Sequence, residues 1–559
     1  MQKNNFLLLS AASMLLLTSC SSKLGELSAD NFKVVPNPLE AQAGQVPATI
    51  NGMFPEKYMK KKAVVTVTPE LRYGNGKVAK GASATFQGEK VEGNDQSISY
   101  LVGGNYTMKT NFKYVPEMQK SDLYLTFDAK VGKKTVEVPA VKVATGVIAT
   151  SELYRNTINN AQGCIAEDAF QRVTEQKQEA NIKFLIQQAN LRKSELQNNS
   201  VTEFVKLLQK INADQEGLNL SNVEVSAYAS PDGGEKLNDK LANQRKQNSE
   251  KYVQQQLKKA KIDTEIDAKY TAQDWEGFQE LVKASNIQDK DVILRVLSMY
   301  KDPEEREKQI KNMSAGFKEL ADGILPELRR ARLTINYEVI GRDDDQIEDQ
   351  LKEDATKLSV EEMLYSATLT NKVNEQEARY KKTTEVYPND CRAYNNLATI
   401  EYARGNYAAA KSYAQKALAV NPKSAEANAN LGLIALQAGD AATAENYIGK
   451  ASDANGLAEV LGNLHLAQGN YALAEQDFKK VNSNSAALAQ ILNKNYSAAE
   501  KTLNNVKNAD AMTDYLKAVL NARQGNKGAA KNALAAALAK DPSLASYAAK
   551  DLELSDLSK

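Results

Sequence analysis

The sequence predicts a multidomain protein in which an N-terminal all-β sandwich is followed by a central α/β domain and a C-terminal all-α solenoid. Three patterns support this prediction: closely spaced runs of alternating apolar residues, then strands alternating with amphipathic helices, then an alanine-rich repeat. A chain of 559 residues is long enough for about three or four domains. The predicted bounds are 31–150 for the sandwich, 162–341 for the α/β domain, 342–356 for an acidic linker and 357–559 for the repeats.

The sandwich prediction rests on apolar side chains that alternate with polar ones from Leu123 to Phe127 and again from Val136 to Val138. Gly132-Lys133-Lys134 separates these two runs and is typical of a hairpin connection. Similar short runs bounded by Gly, Pro and Asn precede them, so we expect antiparallel sheets that pack face to face.

The α/β domain is predicted from strands that alternate with amphipathic helices. Ser200 is the expected N-cap of its first helix, with Glu203 completing a capping box. The predicted elements are a strand at Ile182–Arg192, a helix at Ser200–Ile211, a strand at Asn222–Ser230, a helix at Leu237–Ala260 and a closing strand at Ala331–Ile340.

The first residues predict a secretion signal. Lys3 is followed by an apolar stretch from Phe6 to Leu17, which is too short to span a bilayer as a permanent helix. The run then ends in Thr18-Ser19-Cys20, so that residues 1–19 form the predicted signal peptide.

Leu17-Thr18-Ser19-Cys20 resembles a bacterial lipobox. The resemblance implies that Cys20 becomes the first residue and carries a diacylglyceryl group, with residues 20–30 as a lipidated linker. Serines follow Cys20 where an aspartate would retain a lipoprotein in the inner membrane, which favours the outer membrane, on its periplasmic face rather than the cell surface. The alternative is an ordinary signal peptide whose cysteine is incidental.

Composition argues against several classes of protein. The 71 basic and 70 acidic residues nearly balance, whereas a nucleic-acid binder needs a concentrated basic surface. The single histidine, His465, leaves no Ser/His/Asp triad or zinc site to assemble, and Asp343-Asp344-Asp345 lacks the spacing of a calcium loop. We therefore expect no cofactor, no metal and no enzymatic activity. Cys164 and Cys391 are expected to be two lone buried thiols, although a disulfide between them stays open.

The segment from Val223 to Val253 resembles the C-terminal domain of OmpA, the periplasmic peptidoglycan-binding module of outer-membrane proteins. The matching features are a strand ending in Tyr-Ala-Ser, a turn at Gly233, and then Asn238, Leu241 and Arg245. Arg329-Arg330-Ala331-Arg332, before the closing strand, is also similar to the paired arginines of that family.

This resemblance implies a binding site for a diamino acid of the cell-wall peptide. In the family, an aspartate and a helix arginine grip the ammonium and carboxylate of that ligand. The aspartate position falls on Ser230 in this chain, Arg245 is retained, and Asp232 lies two residues further on, in the turn. These three residues are the candidate peptidoglycan site. Because a hydroxyl binds an ammonium more weakly than a carboxylate does, loss of wall binding stays an alternative.

The last region has a period of 34 residues, which separates Pro388 from Pro422 and Gly405 from Gly439. Such a period indicates stacked helix pairs, and about five or six units are recognisable. The stretch Ala393–Pro422 resembles a tetratricopeptide repeat. The resemblance implies a concave groove that receives a partner protein. Its candidate lining residues, which carry few charges, are Asn395, Thr399, Tyr402, Ala429, Leu433 and Gln437.

Three functions are compatible with these patterns. The first is an outer-membrane lipoprotein scaffold that links the membrane to peptidoglycan and docks proteins on its repeats. The second is a scaffold for secretion, surface-appendage or outer-membrane assembly whose OmpA-like domain has lost the wall ligand, and Ser230 favours it. The third, an enzyme that cleaves cell-wall glycan with paired carboxylates, is disfavoured because no motif supplies the acid pair.

Overall fold

The computed structural model describes residues 24–287, 289–312 and 318–557. Cys20 and the predicted signal peptide lie outside the described residues. Two compact units are present: the larger contains the chain up to Asp168 together with Ser359–Lys559, and the smaller is Ala169–Leu358. The sandwich and the repeat array therefore belong to one unit although they are far apart in sequence.

The N-terminal part of the larger unit consists of two sheets that share one core, together with a short parallel pair formed by Leu39–Glu40 and Val147–Ile148. One sheet has the order β1-β3-β8, and the other follows β10-β9-β4-β6-β7 with β5 also paired to β4. Alternate residues of β4, such as Val65 and Val67, are fully buried against Ile50 of the opposite sheet. The strands are β1 Phe32–Val35, β2 Leu39–Glu40, β3 Gln45–Phe54, β4 Ala63–Tyr73, β5 Lys77–Lys80, β6 Ala84–Gly88, β7 Gln96–Ile98, β8 Gly104–Lys113, β9 Ser121–Val131, β10 Lys134–Thr145 and β11 Val147–Ile148.

The smaller unit is a four-stranded sheet with the order β12-β15-β13-β14, in which β13 and β14 are parallel and the other pairs antiparallel. Phe204 and Leu257, from the two longest helices, pack on this sheet in a common core. The strands are β12 Val173–Lys183, β13 Leu218–Tyr228, β14 Ile266–Thr271 and β15 Arg330–Ile340, and the helices are Lys193–Leu196, Asn199–Ala213, Glu235–Lys259, Trp275–Ala284, Lys290–Met299, Pro303–Lys311, the π-helix Leu320–Ile324, Leu325–Leu328 and Asp344–Asp354.

Two local predictions in this unit are corrected. The first strand is Val173–Lys183 rather than Ile182–Arg192, because its alternating residues are mostly polar at the edge of the sheet, whereas Leu185 and Ile186 are exposed after its end. The first long helix is capped by Asn198, whose side chain accepts a hydrogen bond from the amide of Val201 at 2.8 Å. Ser200, the predicted cap, therefore lies inside the helix.

The predicted acidic linker, 342–356, contains the helix Asp344–Asp354. Asp343 and Gln346 form a capping box at its start, and the acidic residues of the first turn interact favourably with the helix dipole. Ile347 is fully buried, which fixes one face of the helix to the unit. The acidic run is thus the N-terminus of a packed helix.

The C-terminal part of the larger unit is an array of helix pairs, with six pairs in the described part of the chain. Small residues allow close contact within pairs: a Cβ on Gly462 would lie 2.5 Å from the ring of Phe478. The pairs are Val360–Ser366 with Val373–Val386, Cys391–Ala403 with Tyr407–Val420, Ala425–Gln437 with Ala441–Ile448, Leu457–Ala467 with Tyr471–Asp477, Asn484–Leu492 with Tyr496–Asn504, and Ala511–Arg523 with Lys527–Lys540, followed by Ala545–Ala548.

Candidate functional site

The candidate groove of the repeat array contains a segment of the chain itself, residues 158–168, which we call the groove segment. Its central contact is with Asn430, whose side chain pairs with both backbone groups of Cys164. The amide of Cys164 donates to Asn430 Oδ1 at 2.7 Å, and Asn430 Nδ2 donates to the carbonyl of Cys164 at 2.8 Å. The side chain therefore binds this backbone as a neighbouring strand would.

Two further asparagines extend this pairing along the groove. Asn396 accepts from the amide of Ala166 at 2.8 Å and donates to the carbonyl of Ala166 at 3.0 Å. Asn395 donates to the carbonyl of Cys164 at 2.9 Å and accepts from Asn430 at 2.8 Å. We call Asn395, Asn396 and Asn430 the asparagine ladder. All three are at most 3% exposed, so their hydrogen bonds are shielded from water.

Apolar and close backbone contacts complete the groove. Ile158 and Cys164 pack in one core with Ala429 and Leu433. A Cβ on Gly163 would lie 2.8 Å from Asn430 Oδ1, so the backbone approaches the ladder as closely as only a glycine permits. At the ladder, the bound polypeptide is thus held through its backbone and by close packing rather than by charged side chains.

Each of the six predicted groove residues lies at or near this segment. Asn395 belongs to the ladder, and the hydroxyl of Tyr402 donates to the carbonyl of Ile158 at 2.7 Å. The remaining four comprise Ala429 and Leu433, buried in the shared core, Thr399, whose methyl group faces Gly163, and Gln437, whose side chain lies 3.5 Å from Asn159 Oδ1. Sequence reasoning missed Asn396 and Asn430, although AYNN and ANAN mark both positions with uncharged amides.

The chain between the sandwich and the groove segment also packs on the array. Leu153 and Tyr154 belong to a core with Leu488 and Leu516 of the later repeats. The hydroxyl of Tyr547 donates to the carbonyl of Ala149 at 3.2 Å. These contacts continue the groove interaction from the end of the sandwich and explain why the two parts form one compact unit.

Two titratable groups lie beside the groove segment. Burial raises the pKa of the Cys164 thiol to about 12, with nearby glutamates adding to the effect, so the thiol stays protonated and unreactive at neutral pH. Burial also raises the pKa of Glu459 to about 7, and hydrogen bonds from Ser483 and Asn463 only partly oppose this shift. Glu459 thus changes charge near physiological pH in a buried position.

In the smaller unit, Arg245 is held by the backbone instead of being displayed for a ligand. Its side chain is 1% exposed and donates to the carbonyls of Gln188 at 3.0 Å and Tyr228 at 2.9 Å. Its guanidinium lies 5.0 Å from the ring centre of Phe184. Burial, with a contribution from Arg329, lowers the pKa of Arg245 to about 10.

The other two predicted wall-binding residues lie at a small cavity of about 60 Å³ that Arg245 also lines. Asp232 forms an ion pair with Arg329 at 3.0 Å, which occupies the charge that a ligand ammonium would need. Ser230 is 3% exposed, and none of the described residues provides a hydrogen-bond partner for its hydroxyl. The three residues therefore lie together. The carboxylate of Asp232 is already paired with Arg329, and the guanidinium of Arg245 is already bound to backbone carbonyls.

The remaining candidate residues have ordinary environments. Cys164 and Cys391 are free thiols, the first buried and the second half-buried. His465 lies 2.5 Å from Asp477 on the array. Within the described ranges, no cluster of three or more His, Cys, Asp or Glu side chains is placed to hold a metal ion, and no helix combines the length and apolarity needed to cross a membrane.

Residues 395–456 match the family model of the tetratricopeptide repeat. Similar solved structures include a tetratricopeptide repeat protein from Parabacteroides merdae, with 16% identity, coverage of 45% of this chain and 98% of that chain, and a TM-score of 0.28. They also include pilF of Pseudomonas aeruginosa, with 16% identity, coverage of 39% and 99%, and a TM-score of 0.27, and yeast Tom70, with 11% identity, coverage of 64% and 78%, and a TM-score of 0.24. Comparison with curated proteins gave no match.

The family match falls on the helix pairs that hold the groove segment. The C-terminal region is therefore a tetratricopeptide repeat array, a fold that suggests a protein–protein interaction scaffold.

We predict that Asn430→Ala loosens the groove segment. The change leaves the buried amide of Cys164 without its acceptor, which should lower the free energy of unfolding by about 1–3 kcal/mol. It should also let a maleimide alkylate Cys164, measured by mass spectrometry in a Cys391→Ser background so that only one described thiol can react.

Asn446→Ala is the matched control, because Asn446 is an exposed asparagine of the same array and its loss should change stability by less than about 0.5 kcal/mol. Equal alkylation of Cys164 in the Asn430→Ala and Asn446→Ala variants would show that the ladder does not hold the segment.

We predict that Glu459→Gln stabilises the larger unit by an amount that grows as the pH rises from about 5 to above 7. The folded carboxyl keeps its proton up to a pKa of about 7, whereas its ordinary value is 4.5. Between these values the folded state binds one proton more than the unfolded state, so stability falls as pH rises and the loss reaches about 3 kcal/mol above pH 7. Thermal unfolding should show a much larger gain in melting temperature for the variant at pH 8 than at pH 5.

The exposed Glu445, changed to Gln, is the control on the neighbouring helix pair. A Glu459→Gln variant with the same gain at both pH values would mean that the wild-type carboxyl does not titrate in this range.

Proposed function

We propose that this protein is a non-catalytic scaffold, anchored by lipid at Cys20 in the outer membrane and facing the periplasm. Its repeat array holds one polypeptide in the groove and offers its outer surface to protein partners. The lipobox-like residues before Cys20 support the anchor, and the repeat family supports protein partners.

The asparagine ladder is the observation that carries this proposal. The groove binds polypeptide through backbone hydrogen bonds and apolar contact, as the low charge of its lining residues suggests. Its occupant here is the chain's own connection from the sandwich, with Cys164 and Ala166 fully paired. We infer that the array serves first to make the sandwich and the repeats one rigid body, on which other proteins assemble.

The state of Arg245 supports the version of this function without wall binding. An arginine that releases two backbone carbonyls to reach a ligand would leave those carbonyls buried and unpaired, at a cost of about 1–3 kcal/mol each. The Asp232–Arg329 pair must also open before Asp232 can bind an ammonium. The smaller unit is therefore proposed to act as a structural or assembly module.

Binding of peptidoglycan is the second candidate function, and the hydroxyl of Ser230 is the observation that favours it. This buried hydroxyl lines the cavity beside Asp232 without a partner among the described residues. A ligand amine could supply that partner. The resemblance to the OmpA C-terminal domain points in the same direction.

We predict that the protein carries lipid and that the array contacts other proteins in cells. A clickable fatty acid should label the wild type and leave Cys20→Ala unlabelled.

A photo-crosslinking amino acid at Leu473, which is 48% exposed on the array, should give discrete protein adducts in intact cells. Gel shifts of the click-labelled and crosslinked protein measure both.

Val292, which is 52% exposed in the smaller unit, is the matched position for the crosslinker. Unlabelled wild-type protein would contradict the anchor. Adducts of the same size and yield from Val292 and Leu473 would contradict a partner surface on the array.

We predict that the mature protein does not co-sediment with purified sacculi and that Ser230→Asp leaves this unchanged. The new carboxylate would lie in a cavity lined by Arg245 and Arg329 as well as Asp232, so the two arginines would balance the two carboxylates inside the protein. Ser230→Ala is the control that removes the free hydroxyl. Sedimentation of the wild type that Ser230→Ala abolishes would instead establish the second candidate function.

A further inference from the structure

We propose that one end of the β-sandwich rests on the membrane, where Leu101 and Val102 enter the surface of an anionic phospholipid bilayer. The inference rests on the proposed lipid anchor. It goes further because it says which surface of the protein contacts the bilayer. The surface consists of two turns, residues 55–62 and 99–103, which we call the membrane-facing turns.

The apolar tip of this surface is fully displayed. Leu101 is 67% exposed and Val102 is 80% exposed in the turn between β7 and β8. The turn is held from below, because the amide of Leu101 donates to Ser99 Oγ at 3.2 Å and Gly103 packs against the backbone of Phe54. Two adjacent aliphatic side chains are thus presented on a fixed support.

The two turns are joined to each other. The amide of Lys57 donates to the carbonyl of Tyr100 at 2.6 Å, and Lys60 Nζ lies 5.2 Å from the centre of the Tyr100 ring. Residues 55–62 carry four lysines against one glutamate. Lys57, Lys61 and Lys62 are exposed, and Lys57 Nζ lies 3.5 Å from Glu56 Oε1. Glu89 of the neighbouring loop accepts a hydrogen bond from Ser99 Oγ at 2.9 Å. Exposed lysines beside an apolar tip fit a surface with negative headgroups.

The position of the chain near Cys20 indicates that the surface in contact with these turns is the membrane. Gly25 lies against the ring of Tyr58, since a Cβ on Gly25 would be 3.3 Å from Tyr58 Cδ2, and Tyr58 belongs to the first membrane-facing turn. Cys20 and Gly25 are five residue steps apart, and a fully extended chain of that length spans at most about 18 Å. A lipid on Cys20 would therefore keep the bilayer close to these turns.

The test uses the mature chain from residue 20 with Cys20→Ser, so that no acyl chain contributes. The only tryptophan is removed with Trp275→Phe and a new one is placed with Leu101→Trp. Vesicles of phosphatidylethanolamine and phosphatidylglycerol should shift its fluorescence to the blue. The shift should be smaller in high salt and on vesicles of phosphatidylcholine alone, because the lysine contribution is electrostatic.

Leu473→Trp in the same background is the control, at an exposed apolar position on the array. A second measurement, vesicle co-sedimentation of the chain with Leu101→Asp and Val102→Asp, should show binding reduced about tenfold or more. Both changes are at exposed positions, and circular dichroism checks the fold.

Absence of a blue shift at Leu101→Trp, or an equal shift at Leu473→Trp, would overturn the proposal. Vesicle binding that is independent of lipid charge and of salt concentration would also overturn it. These results are independent of the anchor, since the vesicle assay uses an unacylated chain. If Cys20 is not labelled by fatty acid but the vesicle assay is positive, only the proposed anchor is contradicted. If Cys20 is labelled but Leu101→Trp shows no blue shift, only the proposed membrane contact is contradicted.

Discussion

The pairing of Asn430 with the backbone of Cys164 is the interaction on which the larger unit depends. It satisfies a donor and an acceptor at a position from which water is excluded, and an unpaired group there would carry its full desolvation cost. The sandwich lies on one side of the groove segment in sequence and the α/β domain on the other. Fixing Cys164 to the array therefore fixes where the sandwich ends, and the contacts of Leu153 and Tyr154 follow from it.

This arrangement limits what the groove can do for other proteins. A segment bound within one chain has a high effective concentration, so a partner peptide must exceed its affinity by a large factor to replace it. The groove also accepts only a backbone that approaches as closely as Gly163 does. The outer helices of the array include exposed apolar positions such as Leu473. The partner surface proposed above is therefore placed on these outer helices, because the groove is occupied by the chain itself.

The repeat array could be predicted from the sequence because its packing demands small residues at fixed spacing, such as Ala398, Ala410 and Ala417, all of them buried. The occupant of the groove could not be predicted. The ladder pairs with backbone groups of Cys164 and Ala166, and any residue except proline supplies these groups, so this pairing leaves no pattern in the sequence of the segment. The bounds of the strand Val173–Lys183 could not be predicted for a related reason. Its residues are mostly polar because it lies at the edge of the sheet, so they give a weaker strand signal than the apolar run that follows.

The candidate peptidoglycan site shows what a sequence motif can predict and what it cannot. Ser230, Asp232 and Arg245 line one cavity, but the state of the arginine depends on the loop that contributes the carbonyl of Gln188, and no spacing rule in the sequence reveals that contact. A guanidinium that binds backbone carbonyls holds the loop, the strand β13 and the helix Glu235–Lys259 together. Exchanging those bonds for a ligand carboxylate would replace one set of charge-assisted contacts with another and gain little net free energy. The arginine is therefore better explained as an internal brace that holds three parts of the smaller unit together.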